Sequence, residues 1–261
     1  MSAAVPVFAT TEGYRAAVAE LPMGARQAEA ARGAVVVVPG EGQWWTALLD
    51  AQASGAVAAV VGNPQRVPAE AVATLRGLLS IPVVVERPFA RPDDIAAAVS
   101  ARAGSPATLV TIECAAAPRG LESALRDGLR WATALAGGPL ERIGSGGGMA
   151  LLQATPPSGH LPVTVLAKRL SGAAAAPMLR VAALGEVRSV VESEAAGHGV
   201  RLTTASADGS TMSAVRYEGP ARLALRRALE AVATGRPIPD LTELLEDQEI
   251  LAELLPEHNQ G

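Results

Sequence analysis

The residues best placed to do chemistry are an acid and a base that follow a short apolar segment. Residues 81–85 form an apolar run rich in valine, and Glu86, Arg87 and Pro88 come directly after it. An unbroken β-branched run is typical of a strand that is buried on both faces of a parallel sheet. Pro88 has no backbone N–H and would end such a strand. The pattern therefore predicts that Glu86 and Arg87 lie at the carboxyl end of a parallel strand, where open α/β sheets bind their ligands.

Two earlier segments repeat this pattern of an apolar strand that stops close to a proline. Residues 34–38 and 57–61 are apolar runs that end near Pro39 and Pro64, and a helix-like segment follows each of them. Together with residues 81–85 they give three successive strand–turn–helix units. Such alternation predicts a Rossmann-like, doubly wound parallel sheet.

The chain before these units adds one more strand, over residues 5–9, and a helix that begins after Thr11. Thr11 is a favoured N-cap type because its hydroxyl can accept a hydrogen bond from an N–H of the first turn. The stretch after Gly24 is rich in Ala, Glu and Arg, and this composition predicts a helix.

The character of the sequence changes after Gly104. A helix is predicted over residues 118–136, and the strand candidates between residues 149 and 217 are closely spaced, without long helices between them. Such spacing predicts a large, mostly antiparallel open sheet. We therefore predict a Rossmann-like domain over residues 1–104 and an α+β sheet domain over residues 105–261.

Composition argues against several classes of protein. The chain has 261 residues and a net charge of −4, so it lacks the basic surface that nucleic-acid binding requires. No apolar run reaches the length of a membrane span and no secretory leader is recognised, so a soluble, cytoplasmic protein is expected. A single cysteine, Cys114, leaves no intramolecular disulfide. Almost every basic residue is arginine, and Lys168 is the only lysine.

Three motifs give the sequence a resemblance to a known family. Residues 60–64, a helix and residues 82–88 resemble a strand–Pro–helix–strand unit that ends in Glu-Lys-Pro. Asp127-Gly-Leu-Arg-Trp131 resembles an Asp-x-x-Arg-Trp helix, and Gly235-Arg-Pro-Ile-Pro239 resembles a closing segment ahead of an acidic helix. In this order the chain resembles the glucose–fructose oxidoreductase/inositol dehydrogenase (MocA-like) family of dinucleotide-dependent sugar oxidoreductases.

The resemblance implies which positions should carry the proton chemistry. In the family, the lysine of Glu-Lys-Pro and an Asp-x-x-x-His pair of the next domain fill that role. Here the lysine position is Arg87, and a guanidinium orients a ligand but does not release its proton. Counting back from Asp127 by the family's spacing, the Asp position is Gly120 and the His position is Ala124. All three positions are therefore degenerate, and no catalytic residue is predicted.

The resemblance also implies a Gly-x-Gly-x-x-Gly turn that holds a dinucleotide. The best candidate follows a strand at Pro39-Gly40-Glu41-Gly42, but Trp45 stands in place of the third glycine and Glu41 would repel a pyrophosphate. An ordinary βα turn is favoured, and the N-terminal half of the fold is shortened relative to the family, so this loop can belong to a later strand. No cofactor is expected, whereas NAD(P) follows if the site is active. The predicted positions around the interdomain cleft are Pro39, Gly40, Gly42, Pro64, Glu86, Arg87 and Pro88.

Other conspicuous residues are assigned structural roles. The glycine-rich residues 144–148 and the Asp-Gly of residues 206–210 each predict a hairpin bend. His160, His198 and His258 lack the spacing of metal ligands, so no metal site is predicted.

Three functional hypotheses follow from the lost proton-handling positions. The first is a pseudoenzyme of the oxidoreductase family that acts as a structural or regulatory subunit, as a homodimer or as the partner of an active relative, through the C-terminal sheet. The second is an active NAD(P)-dependent sugar or cyclitol oxidoreductase with a rearranged site. The third is a protein that binds a small molecule in the interdomain cleft without chemistry. The first hypothesis is favoured.

Overall fold

The computed structural model describes residues 4–102, 104–146, 148–171, 176–193, 199–214, 216 and 218–255. The strands are β1 (Val5–Phe8), β2 (Ala25–Gln27), β3 (Val35–Pro39), β4 (Ala58–Gly62), β5 (Val83–Val85), β6 (Leu109–Ala116), β7 (Leu140–Gly146), β8 (Met149–Ala154), β9 (Leu161–Arg169), β10 (Met178–Leu184), β11 (Arg188–Ser193), β12 (Val200–Ser206) and β13 (Gly209–Met212). The helices are α1 (Glu12–Ala19), α2 (Trp44–Ala53), α3 (Ala69–Leu78), α4 (Pro92–Ala101), α5 (Pro118–Ala136), α6 (Pro220–Thr234) and α7 (Asp240–Leu254). Among the described residues no helix is long and apolar enough to cross a membrane.

The chain divides into two compact units that are not contiguous in sequence. Unit 1 comprises residues 1–86 and 218–246, and unit 2 comprises residues 87–217 and 247–261. This division differs from the boundary predicted near Gly104. The helix α4 packs against α5 in unit 2, and α6 packs against β4 in unit 1. Local sequence patterns do not reveal such packing, because it joins segments that are far apart in the chain.

Unit 1 is built on a parallel sheet in the order β2-β1-β3-β4-β5. The valines of β3 and β5 are buried on both faces, as their unbroken apolar runs predict. One face is covered by a cluster that includes Trp44, Leu48 and Leu244 from α2 and α7. The other face is covered by α1 and α6, with Tyr14 and Leu225 in its cluster. The predicted doubly wound sheet is therefore confirmed.

The strand β2 was not expected, since its stretch of sequence is rich in helix-forming residues. It pairs with β1 in parallel, with Val5 opposite Ala25 and Val7 opposite Gln27. Ala25 is buried, whereas Arg26 and Gln27 are exposed. The prediction of a helix after Gly24 is therefore wrong at this point, because pairing with a neighbouring strand outweighs intrinsic propensity over so few residues.

Unit 2 contains an eight-stranded sheet in the order β13-β12-β11-β10-β6-β9-β8-β7. All its pairs are antiparallel except β6 with β9, so the predicted mostly antiparallel sheet is confirmed. Its inner face packs on α5, whose Gly128 lies so close that a Cβ would be 2.8 Å from Ile112 Cγ2. Glycine is therefore required at this position of the Asp-x-x-Arg-Trp motif, because any side chain would push α5 off the sheet.

Both predicted hairpins form in this sheet. The glycine-rich segment joins β7 to β8, and Gly146 pairs with Met149. The Asp-Gly turn joins β12 to β13, and Ser206 pairs with Gly209. The strand predicted over residues 211–217 is shifted towards the N-terminus as β13, because the turn fixes the register, and Val215 and Tyr217 lie outside the described residues.

Candidate functional site

The sheet topology of unit 1 locates the point where a doubly wound fold binds its ligand. From β1 the chain first adds β2 on one side, and then returns to add β3 on the other side. In open α/β sheets, ligands bind outside the carboxyl ends of the strands at this reversal. The loop that should hold a pyrophosphate is therefore the loop between β1 and α1. The sequence pointed instead to the loop after β3, because that loop is the one that contains glycines.

The loop between β1 and α1 has none of the three fingerprint glycines. Counting Gly-x-Gly-x-x-Gly from the first residue after β1 places Ala9, Thr11 and Tyr14 at the glycine positions. Glu12 adds a carboxylate to the first turn of α1. The fingerprint needs glycines so that backbone can approach the pyrophosphate and helix can approach strand. These residues therefore do not fit the pyrophosphate of a dinucleotide.

Tyr14 stands at the position of the third glycine. Its side chain is buried, and its hydroxyl donates a hydrogen bond of 2.8 Å to Glu86 Oε2. Gly62 lies beside both groups, since a Cβ there would be 3.2 Å from Glu86 Oε2 and 3.3 Å from Tyr14 Cε2. Burial, followed by the Glu86 charge, raises the pKa of Tyr14 above its ordinary value, so the phenol stays protonated as a donor. Glu86, which was expected to face a ligand, thus holds a tyrosine of its own unit.

The loop after β3 is fixed by its neighbour rather than shaped around a ligand. Gly40 N–H donates to Gly62 O at 2.8 Å, and Gln65 N–H donates to Gly40 O at 2.6 Å. A Cβ at Gly40 would lie 2.4 Å from Pro64 Cα, so this glycine permits two loops to touch. Gly42 is exposed with a φ of 60°, which is a turn conformation.

The tryptophans beside this loop also have structural roles. Trp44 is fully buried, and its Nε1 donates to Gln65 O at 2.9 Å. Trp45 packs edge-on against it, with ring centroids 6.3 Å apart. Trp44 therefore belongs to the core of unit 1, where it fastens the loop after β4 to α2.

In unit 2, Arg87 is enclosed by carboxylates instead of facing solvent. Its Nη2 donates to Asp247 Oδ2 at 2.8 Å, its Nη1 lies 3.7 Å from Asp127 Oδ1, and the side chain is only 6% exposed. Burial raises the pKa of Asp247 to about 6, although the Arg87 charge opposes that rise. A guanidinium held by two acids forms an internal ion pair. Pro88 beside it is also buried.

The positions implied for the Asp-x-x-x-His pair are closely packed. Ala124 is completely buried in the core of unit 2. A Cβ at Gly120 would lie 3.1 Å from Pro177 Cγ and 3.4 Å from Ala116 Cβ. A carboxylate or an imidazole at these positions of α5 would have to displace packed neighbours.

The Asp-x-x-Arg-Trp motif has a role that sequence did not reveal. Asp127 Oδ2 accepts the Phe89 N–H at 2.8 Å, and Trp131 Nε1 donates to Phe89 O at 2.6 Å. Asp127 is fully buried, so burial raises the pKa of its carboxyl group, while the Arg126 and Arg87 charges oppose the rise. The motif therefore fastens the chain after Arg87 to α5. The only signal in the sequence was the shared resemblance of both motifs, which does not identify a contact.

The remaining candidates contribute no site. Among the described residues, no group of three or more His, Cys, Asp and Glu side chains is arranged to hold a metal ion. His160 is exposed and lies 2.8 Å from Gln153 Nε2 through its Nδ1, and His198 and His258 lie outside the described residues.

Comparison with known proteins rests on structure alone. No protein-family model matches the chain, and no curated protein matches its sequence. Its structure is similar to that of UDP-N-acetylglucosamine 3-dehydrogenase GnnA from Acidithiobacillus ferrooxidans, with a TM-score of 0.65, 12% identity and coverage of 96% of this chain and 95% of the other. It is similar to the 3-ketoreductase KijD10 from Actinomadura kijaniata in complex with NADP, with a TM-score of 0.64, 11% identity and 95% coverage of both chains.

A third similar structure is D-galactose-1-dehydrogenase from Rhizobium etli, with a TM-score of 0.68, 15% identity and 96% coverage of both chains. Likeness at this identity is a likeness of fold, and it extends over both units. The resemblance drawn from the Glu-Arg-Pro and Asp-x-x-Arg-Trp motifs is thereby confirmed at the level of the fold. The chain has the same type of two-domain fold as the glucose–fructose oxidoreductase/inositol dehydrogenase (MocA-like) oxidoreductases.

Proposed function

We propose that this chain is a pseudoenzyme with a sugar-oxidoreductase fold, which acts as a structural or regulatory subunit. The observation that carries the proposal is the enclosure of Arg87, at the lysine position, by Asp247 and Asp127 in unit 2. Proton transfer to a sugar hydroxyl needs a side chain that can reach the substrate and exchange a proton. Arg87 does neither, since its proton is retained and its guanidinium is already engaged.

The loop between β1 and α1 supports the same proposal from unit 1. Ala9, Thr11 and Tyr14 occupy the glycine positions, and the Tyr14 hydroxyl is bonded to Glu86. The NADP seen with KijD10 has no matching cradle here. We therefore propose that the chain does not bind NAD(P) tightly.

The outward face of the sheet in unit 2 supports a second copy of this chain as partner. The helices α4, α5 and α7 supply Ala98, Leu125 and Leu251 to the core on the inner face. On the outward face, Met149, Leu151 and Leu166 are 61%, 40% and 50% exposed and lie on the adjacent strands β8 and β9. Exposed apolar side chains gathered on one face are typical of an association surface.

The charges on the same face complement an inverted copy of themselves. Four neighbouring strands place Glu113, Arg180, Glu192 and Arg201 side by side in one row, in that order. Arg180 already pairs with Glu113 at 2.9 Å and with Glu192 at 3.2 Å. When such an alternating row meets its own reverse, each acid faces an arginine. A two-fold contact requires this self-complementarity.

Cofactor binding is tested by titrating the purified full chain with NADPH and NADH under nicotinamide fluorescence, with KijD10 as the positive control for NADP. We expect no saturable binding up to about 1 mM, which is the weak end of specific ligand affinity. A dissociation constant in the micromolar range would contradict the pseudoenzyme proposal and favour an active oxidoreductase.

The variant Arg87→Lys tests whether restoring the family's lysine is enough to restore cofactor binding and sugar oxidation. We expect neither cofactor binding nor sugar oxidation, because the β1–α1 loop and the positions of Gly120 and Ala124 are unchanged. Oxidation of any sugar by Arg87→Lys with NAD(P), but not by the parent chain, would show that the site is otherwise intact.

The dimer is tested by sedimentation equilibrium of the parent chain and of two matched variants. Leu166→Glu places an acid on the outward face of unit 2, opposite Glu113 in the register. Leu78→Glu makes the same change at a leucine of α3 in unit 1 that is 64% exposed. We expect a dimeric parent, at least about tenfold weaker association for Leu166→Glu, and no change for Leu78→Glu. A monomeric parent, or equal effects of both variants, would contradict the proposed interface.

A further inference from the structure

A cavity of about 380 Å³ lies within unit 2, away from Arg87. It is open to solvent and is lined by the ends of α4 and α5, by the segment that leads into β6, and by the loop between β8 and β9. Its walls are largely apolar, with Leu135 and Pro156 among them, and they carry the hydroxyls of Ser105 and Ser158. The volume falls in the range of sites for small organic ligands.

One charged side chain, Arg102, contributes to the wall of this cavity. It follows the last residue of α4 and is only 5% exposed. Its Nη1 donates to Val187 O and Ala183 O and lies 3.4 Å from Ser189 Oγ, while its Nη2 donates to Ser105 O at 3.4 Å. All these partners are neutral, so Arg102 forms no ion pair among the described residues.

Arg126, another buried arginine of unit 2, differs from Arg102 because carboxylates lie near it. Both guanidinium groups are buried, and burial lowers the pKa of each. For Arg126, nearby carboxylates led by Asp127 raise the pKa again. For Arg102, burial is the one cause, and no carboxylate of the described residues opposes it. A buried charge is normally paired with an opposite charge.

We propose that the cavity beside Arg102 binds a small organic carboxylate, whose anionic group supplies the missing counter-charge. The carboxylate lies on the Arg102 side, because a guanidinium is the preferred partner of a carboxylate. The apolar body lies on the side of Leu135, where the last carbonyls of α5 would repel an anion. The two sides of the cavity thus set the orientation of the bound ligand. This site is independent of the proposed function, because it uses neither Arg87 nor the β1–α1 loop.

The probe for this site is benzoate, and benzamide is its neutral counterpart of the same shape. Both are titrated into the ¹⁵N-labelled full chain and followed by amide chemical shifts. We expect saturable shifts for benzoate at the amides of Gly104, Ser105 and Gly137, and at least about tenfold weaker binding of benzamide, since only the anion pairs with Arg102. Equal affinity of the two probes, or no saturable shift at these amides up to about 10 mM, would overturn the proposal.

Two variants separate the cavity from a surface effect. Arg102→Gln removes the charge, and it is expected to weaken benzoate binding at least about tenfold while leaving benzamide unchanged. Ser158→Trp obstructs the cavity from an exposed loop position without touching the core, so it remains informative if Arg102→Gln does not fold. Ser54→Trp makes the same change at an exposed serine of unit 1 and is expected to bind benzoate normally. Normal benzoate binding by Ser158→Trp would contradict the assignment to this cavity.

Discussion

Two aspartates, one in each unit, hold the same stretch of chain by its backbone. In unit 1, Asp240 Oδ2 accepts the Val85 N–H at 3.0 Å, and its carboxylate receives two bonds from Arg227, at 2.7 and 2.8 Å. In unit 2, Asp127 Oδ2 accepts the Phe89 N–H at 2.8 Å. Val85 and Phe89, four residues apart, therefore each donate a backbone hydrogen bond to an aspartate of their own unit.

The electrostatic surroundings of the two acids differ. Arg227 meets its acid in bidentate geometry and is 22% exposed, so it keeps contact with water. Arg87 and Arg126 stay 3.7 and 3.9 Å from Asp127 and are almost fully buried. An ion pair that reaches water can lose a partner and be solvated again, whereas a dry pair cannot. We therefore expect these two similar contacts to tolerate substitution to different degrees.

The largest effect is expected for Asp127→Ala. The change removes the acceptor of Phe89 N–H and leaves two buried arginines with less opposing charge. We expect the free energy of unfolding to fall by about 3–5 kcal/mol, measured by chemical denaturation. Asp127→Asn, which keeps an acceptor, serves as the control for the hydrogen bond alone. A loss below about 1 kcal/mol for Asp127→Ala would mean that the arginines find other partners.

A smaller effect is expected for Asp240→Ala. Val85 N–H loses its acceptor, but Arg227 can turn towards solvent. We expect a loss of about 2–3 kcal/mol, and faster amide hydrogen exchange at Val85 than at Phe89. If Asp240→Ala destabilised the chain more than Asp127→Ala, the proposed contrast between the partly exposed ion pair of Asp240 and the buried ion pairs of Asp127 would be wrong.

The pH dependence of stability tests the buried ion pairs of Arg87 with Asp127 and Asp247 further. The pKa of Asp247 is raised to about 6 from an ordinary 3.8. Between these values the folded chain binds more protons than the unfolded chain, so this group makes stability fall as pH rises through that window. We expect the free energy of unfolding of Asp247→Asn to rise relative to that of the parent by on the order of 2 kcal/mol as the pH goes from 4 to 7. A difference between the two proteins that is constant over this pH range would contradict a raised pKa.

The smallest effect is expected for Tyr14→Phe in unit 1. The change removes one hydroxyl and its bond to Glu86, which is only half-buried and can be hydrated instead. We expect a loss of about 1 kcal/mol in the free energy of unfolding. Tyr14→Phe also keeps the ring at the third glycine position, so NADPH binding should stay absent. Binding gained by this variant alone would show that the hydroxyl, rather than the ring, excludes the cofactor.

The parallel sheet could be predicted because its evidence is local. Prolines and unbroken valine runs mark the ends and the burial of β3 and β5, and no distant residue changes that. Thr11 does stand before α1, as the same kind of signal predicts, but its hydroxyl makes no capping hydrogen bond there. The strand β2 could not be found, since nothing in Ala25-Arg-Gln27 distinguishes it from a helix until β1 lies beside it.

The candidate site was predicted less well for a related reason. Gly40 and Gly42 make the loop after β3 the best sequence candidate for a phosphate loop, although an ordinary turn is favoured, and Gly40 is glycine because Gly62 and Pro64 lie against it. The loop that topology selects contains Ala9, Thr11 and Tyr14, which carry no fingerprint. Arg87 was recognised as a departure from lysine, but its enclosure depends on Asp247, 160 residues away in sequence. Contacts between residues so far apart in sequence form only on folding, so the local composition around Arg87 does not predict them.

The division of the chain into non-contiguous units has a consequence for its synthesis on the ribosome. The parallel sheet is complete once Val85 has emerged, but Leu225 of α6 and Leu244 of α7 belong to the clusters that cover its two faces. Until those helices emerge, each face of the sheet is only partly covered, by helices such as α1 and α2, and the rest is exposed to water and to other nascent chains. Unit 1 therefore begins to fold first but completes its folding late. During that interval the growing chain is most exposed to aggregation and most in need of a chaperone.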